Sequence, residues 1–234
     1  MSTKALNRKF ESNSISEISN LLFNLLFWAY CIACLAPLLL IFMVSITDEV
    51  SLVENGYSFI PNKISFKAYQ YLFLDFGKII SAYAVTIGVC IVGSLSSIML
   101  TMLYAYPISR KTFKYRKFFS FFIFFTMLFQ GGLVPWYILY TRYLKLEDNL
   151  LALILPGLVS AFNVLIVRTY LTTNIPDSIL EAARIDGAGE FRIFFSIIIP
   201  LSVPVIATIG LFSVLSYWND WYNCLLFIRT PKYY

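Results

Sequence analysis

The strongest constraint on the fold is a set of five apolar runs, each free of Lys, Arg, Asp and Glu up to its ends. The runs occupy residues 21–47, 79–109, 118–141, 149–167 and 196–220. A helix needs about 20 apolar residues to span a bilayer, whereas a strand of a membrane β-barrel needs roughly 10 residues that alternate in polarity. The runs are long and do not alternate, so the sequence predicts an all-α, polytopic membrane helix bundle with five spans.

The composition excludes a water-soluble domain and gives no sign of an enzyme. Hydrophobic residues make up 59% of the chain and charged residues 13%, whereas soluble domains carry about 25% charged residues. The chain has no histidine, and it contains no Gly-x-x-x-x-Gly-Lys-Ser/Thr loop for nucleotide phosphates. We therefore expect no catalytic residues, no metal site and no cofactor bound by this chain.

Basic residues in one short connector, residues 110–117, predict the orientation. They are Arg110, Lys111, Lys114, Arg116 and Lys117. Loops rich in Lys and Arg stay on the cytoplasmic side of a membrane. Alternation then makes residues 1–20 a cytoplasmic leader, residues 21–47 the first span, residues 48–78 an outer loop and residues 168–196 a cytoplasmic loop.

The outer loop 48–78 contains one amphipathic stretch. Over residues 65–76 the spacing places Phe66, Tyr69, Leu72 and Phe73 on one helical face. The stretch predicts a short helix. Two uses of this helix stay open, because its apolar face fits either the membrane surface or an external partner.

The third run carries Gly131, Gly132 and Pro135 near its expected outer half. Such residues fit a broken helix that lines a cavity or is buried in protein. They also fit an unbroken helix that uses small residues to pack against its neighbours. The packing interpretation is the simpler one, and the sequence slightly favours it.

The end of the fifth run, residues 217–223, combines aromatic and polar side chains; we call it the aromatic segment. An interfacial belt of aromatic residues explains the rings. Polar groups inside a span usually face the bundle interior or an aqueous path, and rings beside amides suit sugars. Belt plus packing is favoured, with lining of a substrate path as the alternative. The substrate-path candidates are Tyr217, Trp218, Asn219, Asp220, Trp221 and Asn223.

Residues 176–189, here called the charged segment, form a polar, helix-compatible stretch between two apolar runs. Pro176 can open a helix, and the spacing of Ser178 and Glu181 matches a capping box. Gly187 and Gly189 can end or bend the helix at little cost. On spacing alone, a well-capped surface helix and a docking site for a soluble partner remain open.

The charged segment resembles the signature of binding-protein-dependent ABC importer permeases. The matching residues are Glu181, Ala182, Ala183, Gly187, Ile197 and Pro200, in register, with Ile199 in place of the family's Leu. Residues 131–135, 155–157 and 175–188 are similar to the maltose-type carbohydrate branch, and most similar to subunits that serve oligosaccharides from complex polysaccharides. The resemblance covers the chain from about residue 65 to its C-terminus.

The resemblance implies a fold of the type I ABC importer kind, in which the charged segment is a coupling helix held in a cleft of a separate ATPase. Glu181 would meet a basic residue there, Ala182 and Ala183 would allow close docking, and Gly187 would let the chain turn. Arg184 and Asp186 are secondary candidates. ATP hydrolysis, with ATP and Mg²⁺, would reside on the partner.

The resemblance also implies the assembly. The expected partners are a second permease subunit, an ABC ATPase dimer, an external solute-binding protein that contacts the outer loop around residues 57–73, an oligosaccharide substrate and the lipid bilayer, with no nucleic acid. The expected location is a bacterial cell membrane. Family members carry a sixth helix, so a sixth span is expected to be missing at the C-terminus.

Three other functions are weaker. An ion-coupled secondary transporter could use Asp220 as its ion site. A membrane-embedded glycosyltransferase would need clustered carboxylates, for which Asp186 and Glu190 are a slender basis. A permease of the same family with a non-sugar cargo is the third.

Overall fold

The computed structural model describes residues 16–74 and 76–230. In this part of the chain the secondary structure is helical apart from one isolated bridge between Thr47 and Ile64. The chain divides into two compact units, Met1–Phe76 and Gly77–Tyr234. Most of the predicted leader, residues 1–15, lies outside the described residues.

The described part of the first unit contains three helices: α1 (Glu17–Ser45), α2 (Glu49–Asn55) and α3 (Lys67–Leu74). α1 begins before the predicted residue 21, because the Ser16 side chain accepts a hydrogen bond from the Ser19 backbone N–H at 3.2 Å and caps the helix. Residues 17–20 are therefore helical. α3 confirms the short helix predicted for residues 65–76.

The second unit contains nine helices in its described part, which together form the helix bundle. They are α4 (Phe76–Ser109), α5 (Arg116–Leu128), α6 (Leu133–Tyr143), α7 (Leu151–Gly157), α8 (Ala161–Asn174), α9 (Asp177–Ile185), α10 (Glu190–Leu201), α11 (Val203–Trp218) and α12 (Trp221–Phe227). α6 ends in a π-helical turn, Leu139–Tyr143, and α10 contains another, Phe194–Ile198. α7 ends in a 3₁₀ turn, Leu155–Gly157.

Three of the five predicted spans are bent. Among the described residues only α1 and α4 are long and apolar enough to cross a membrane alone, and the total reaches five if each bent pair is one span. The bends are 112° between α5 and α6, 47° between α7 and α8, and 81° between α10 and α11. The all-α bundle is confirmed, with fewer straight spans than the apolar runs suggest.

The packing interpretation of the glycines in the third run is wrong, because the helix breaks there. α5 ends at Leu128, and α6 begins after Gly132, whose φ of +85° is open to glycine and rare for other residues. The second bend comes directly after Pro156 and Gly157. Pro156 has no backbone N–H, so it cannot complete the hydrogen-bond pattern of a helix. The interrupted backbone is of the kind tolerated inside protein or beside a cavity.

The main core of the second unit lies at the end of the bundle that carries α9. α8 presents Val164, Val167 and Leu171 to it, all fully buried and spaced as one face of a helix. Buried side chains from α4, α10 and α11 complete the cluster, and α9 adds Leu180. The charged segment is therefore anchored on the bundle's own core.

The predicted cytoplasmic loop 168–196 is shorter in the structure. α8 continues to Asn174, so Arg168 is helical, and α10 resumes at Glu190. Arginine is a good helix former, so a charge at the end of an apolar run does not end a helix. The segment that connects α8 and α10 is therefore residues 175–189, which contain α9.

Candidate functional site

α9 carries the charged segment, and its N-terminus differs from the prediction. Pro176 occupies the cap position, Asp177 lies in the first turn, and no side chain makes a capping hydrogen bond. The predicted capping box is wrong because the helix starts two residues too early for Ser178 to act as the cap. The Asp177 carboxylate instead sits beside the positive end of the helix dipole.

The C-terminus of α9 is closed by a pair of backbone hydrogen bonds around Gly187. Gly187 N–H donates to the Arg184 carbonyl at 3.0 Å, and Ala188 N–H donates to the Ala183 carbonyl at 2.9 Å. This is a Schellman motif, which needs a residue with positive φ, and Gly187 has φ of +79°. The expected turn at Gly187 is present, and a β-branched residue there would be strained.

The two alanines of the signature lie on different faces of α9. Ala183 packs beside the buried Leu180 against the core of the second unit, whereas Ala182 is exposed. Glu181 and Ile185 are also exposed, Ile185 by 85%. Among the described residues the Glu181 carboxylate has no hydrogen bond or ion pair. The free surface of α9 is therefore acidic and apolar, with one small residue.

Arg110, which the sequence counted only as a basic residue of the connector, is an internal anchor. Its side chain is 6% exposed and forms an ion pair with Asp177 at 2.9 Å. It also donates to the carbonyl oxygens of Leu171 at 2.7 Å and Ile175 at 3.0 Å. These carbonyls belong to the end of α8, where helical partners run out. The one sequence feature that indicates burial of Arg110 is its position directly after the apolar run 79–109.

Arg184, a predicted coupling candidate, is already engaged within the chain. Its Nε donates to Glu190 Oε1 at 2.8 Å, and the Tyr106 hydroxyl donates to Glu190 Oε2 at 3.0 Å. The hydrogen bond that Arg184 donates to Glu190 raises the pKa of the Arg184 guanidinium above its ordinary value. The pair therefore stays ionised at any physiological pH.

The aromatic segment spans the junction of α11 and α12. Asp220 caps α12, accepting hydrogen bonds from Asn223 N–H at 3.1 Å and from Asn223 Nδ2 at 2.6 Å. Asn219 Nδ2 donates to the Leu215 carbonyl at 2.8 Å. The polar side chains that pointed to an aqueous path thus satisfy helix ends.

Tyr217 ties three parts of the second unit together. It is 6% exposed, and its hydroxyl donates to the carbonyl of Ile154 in α7 at 2.8 Å. Its ring leaves no room for a side chain at two glycines: a Cβ on Gly93 would lie 2.6 Å from the ring, and one on Gly157 would lie 2.9 Å away. This placement favours a packing role for Tyr217 over cargo contact.

Two cavities flank the aromatic segment and divide the substrate-path candidates. The smaller, of about 490 Å³, is lined by five of them: Tyr217, Trp218, Asn219, Asp220 and Trp221. The larger, of about 950 Å³, includes Asn223 and Tyr222 together with the break at Gln130, Gly131 and Gly132. The substrate-path candidates therefore border two separate spaces. Within the described residues no group of His, Cys, Asp or Glu could hold a metal.

Comparison with known proteins decides the family. The family described as "Binding-protein-dependent transport system inner membrane component" matches residues 12–222. The chain belongs to this family. It is a multi-pass membrane permease subunit of the ABC importer kind, and its homologues support this assignment over an ion-coupled transporter.

Several characterised permeases resemble the chain over most of its length. The polygalacturonan/rhamnogalacturonan transport system permease protein YtcP of Bacillus subtilis is 35% identical over 216 residues, covering 91% of this chain and 74% of that protein. The arabinooligosaccharides transport system permease protein AraQ of Halalkalibacterium halodurans is 28% identical over 198 residues, covering 83% and 70%.

A solved structure confirms the permease fold. The chain matches one subunit of a bacterial ABC transporter involved in the import of the acidic polysaccharide alginate, with a TM-score of 0.83 and 32% identity. The match covers 93% of this chain and 78% of that one. The fold predicted from the resemblance, a type I ABC importer permease, is therefore correct.

Proposed function

We propose that this permease passes oligosaccharides through the membrane and is driven by a separate ATPase that docks on α9. The observation that carries the proposal is the exposed face of α9, where Glu181 has no partner among the described residues while the opposite face is fixed to the core. An unpaired carboxylate beside a small residue suits close contact with a basic cleft. The remaining candidate, Asp186, is exposed at the end of the same helix.

One contact supports the proposed orientation. Because Arg110 of the connector 110–117 pairs with Asp177 of α9, connector and charged segment lie at the same end of the second unit. The positive-inside rule places that connector, and hence α9, in the cytoplasm. The N-terminus is then cytoplasmic, and the loop 48–78 faces an external solute-binding protein.

The proposed mechanism assigns this chain a mechanical part. ATP and Mg²⁺ bind the partner ATPase dimer, whose closure moves α9 and the corresponding helix of a second permease subunit. The bundle then reorients between inward-facing and outward-facing states, as in alternating access. The driving force is the different affinity of ATP for the two states.

The cargo proposal draws on the relatives and on the larger cavity. YtcP is named for polygalacturonan and rhamnogalacturonan and AraQ for arabinooligosaccharides, and the structural neighbour belongs to a transporter involved in alginate import. The cavity of about 950 Å³ lies at the break between α5 and α6 and offers the rings of Trp136 and Tyr222 beside the amides of Gln130 and Asn223. Its size and mixed lining are typical of ligand sites.

Docking on α9 is tested by a matched pair of cysteines in a cysteine-free permease assembled with its ATPase. We expect Ala182→Cys to form a disulfide or short bifunctional cross-link to the ATPase, because Ala182 faces outward. Ala183→Cys is the control, since Ala183 packs on the permease core. Cross-linking yields measured by electrophoresis should differ at least about tenfold; equal yields, or none from Ala182→Cys, would contradict docking through this face.

The role of the smaller cavity is tested separately. We expect Trp218→Ala and Asn219→Ala to raise the KM for oligosaccharide uptake by roughly threefold to tenfold, the factor that one aromatic or hydrogen-bonding contact contributes. Trp28→Ala serves as the control, since Trp28 is an exposed tryptophan on α1. Uptake kinetics in proteoliposomes measure the effect. Unchanged kinetics in both variants would leave the interfacial belt as the sufficient explanation.

A further inference from the structure

We propose that two polar clamps fasten both ends of α9 to the last turn of α4, and that Arg110, Tyr106 and Glu190 are the positioning residues that carry its displacement into the bundle. The inference rests on the proposed function, because it concerns how motion of α9 reaches the spans. It adds residues outside the predicted coupling set.

The first clamp holds the N-terminus of α9. The guanidinium of Arg110 binds the Leu171 and Ile175 carbonyls and the Asp177 carboxylate, while its Nε donates to Ser109 Oγ at 2.9 Å. Its donors therefore join α4, the end of α8 and the first turn of α9. A planar fork suits this geometry, whereas lysine would carry the same charge on one flexible ammonium group.

The second clamp holds the C-terminus of α9. Glu190, the first residue of α10, receives Arg184 Nε on one carboxylate oxygen and the Tyr106 hydroxyl on the other. The Schellman turn at Gly187 brings the end of α9 back toward α10. Both carboxylate oxygens are therefore used to join α9, α10 and α4.

The two clamps converge on one turn of α4. Tyr106 lies in the last turn of α4 and Arg110 directly follows that helix, and the Arg110 guanidinium carbon lies 5.9 Å from the centre of the Tyr106 ring. A cavity of about 420 Å³ opens between the clamps, lined by Tyr106, Arg110, Arg184, Glu190 and Phe191 among others. The polar contacts therefore border an open space and add to the apolar packing of α9 on the core.

The carboxylates of both clamps are exposed, although Arg110 itself is buried, so the ion pairs are distinct from the packing that stabilises the fold. The side chains of Asp177 and Glu190 are 51% and 59% exposed, and ion pairs at such sites add little to folding stability. Leu180 and Ala183 already anchor the middle of α9 on the core. Loosening a clamp should therefore let the ends of α9 move without α4, and coupling should suffer more than folding.

The experiment measures transport per ATP hydrolysed in proteoliposomes containing the complete importer and its binding protein. The variants are Arg110→Lys, Tyr106→Phe and Glu190→Gln. Tyr104→Phe is the matched control, since its hydroxyl lies on α4 and donates to the Phe119 carbonyl, away from both clamps. We expect a threefold to tenfold loss of transport per ATP in each clamp variant, about the factor that one hydrogen bond contributes to an equilibrium, and no change in the control.

Two further measurements keep the outcomes distinct. Co-purification of the ATPase should stay at the wild-type ratio in the clamp variants, because the exposed face of α9 is untouched. The charge exchange Arg184→Glu with Glu190→Arg should recover part of the coupling that either single change loses. Wild-type coupling in the clamp variants with the ATPase bound would overturn the clamps alone, whereas an ATPase that does not contact α9 in the wild-type importer would overturn the proposed function.

Discussion

Gly93→Ala is expected to lower the stability of the second unit by about 1–3 kcal/mol, the usual cost of overpacking a tight contact. The added methyl group would lie 2.6 Å from Cζ of Tyr217. The ring has little freedom to retreat, because Gly157 also packs closely against it, with an added Cβ there only 2.9 Å away, and the hydroxyl is bound to the Ile154 carbonyl. The thermal unfolding midpoint of the purified permease in detergent should fall accordingly.

Gly88→Ala provides the control for Gly93→Ala. Gly88 lies on the same helix, is exposed, and has no atom within 4 Å of an added Cβ. Alanine should there be neutral or stabilising by up to about 1 kcal/mol, because it is the better helix former. Replacing Tyr217 with leucine in the Gly93→Ala background should remove the clash, so the two changes together should cost less than their sum. Equal midpoints for both alanine variants would contradict the Tyr217 packing.

Glu181→Lys is expected to reduce oligosaccharide uptake by about a hundredfold, while the permease still inserts and folds. Reversing a charge at a docked, desolvated contact costs several kcal/mol, and each 1.4 kcal/mol corresponds to about tenfold. The fold should be unaffected because Glu181 is exposed and has no ion pair or hydrogen bond within the described chain. Uptake, ATPase co-purification and membrane insertion are measured on the same preparation.

Two variants make the Glu181 result specific. Glu181→Gln keeps a hydrogen-bond acceptor and should lose less activity than Glu181→Lys. Glu17→Lys makes the same charge change on an exposed first-turn residue of α1 and should leave uptake close to the wild type. Normal uptake by Glu181→Lys, with ATP hydrolysis still coupled, would show that the docking assignment is wrong.

The sequence predicted the class of fold because hydropathy is a sum over a window. Long apolar runs identified the membrane bundle, and the two straight helices α1 and α4 correspond to two of those runs. A hydropathy sum carries no information on the direction of the helix axis. The sequence therefore favours an unbroken helix over the 112° bend that the structure has at Gly132. The same limit explains why the sequence predicts an end of the fourth span before Arg168. One charged residue lowers the hydropathy sum but does not break the helix.

For the candidate site, the sequence predicts residues whose role depends on local backbone conformation. It does not predict residues whose role depends on side-chain contacts with distant parts of the chain. Gly187 has its expected positive φ because a helix stop is local chemistry. Ala182 and Ala183 looked alike, and only the core contact of Ala183 separates them. Arg110 and Glu190 bind partners 61 to 84 residues away in sequence, and such contacts depend on tertiary packing that spacing does not encode.

The π-helical turn Phe194–Ile198 lies within the fixed sequence spacing between Gly187 and Pro200 in the family signature. It changes the rotation about the helix axis that this spacing produces. An α-helix rotates by about 100° and rises 1.5 Å per residue, and a π-helical turn holds an additional residue within one revolution. A helical wheel drawn from Glu190 through Leu201 therefore assigns the later residues to the wrong side. Spacing in this stretch sets the azimuth of α11 relative to α9, so inserting or deleting one residue would rotate a membrane span.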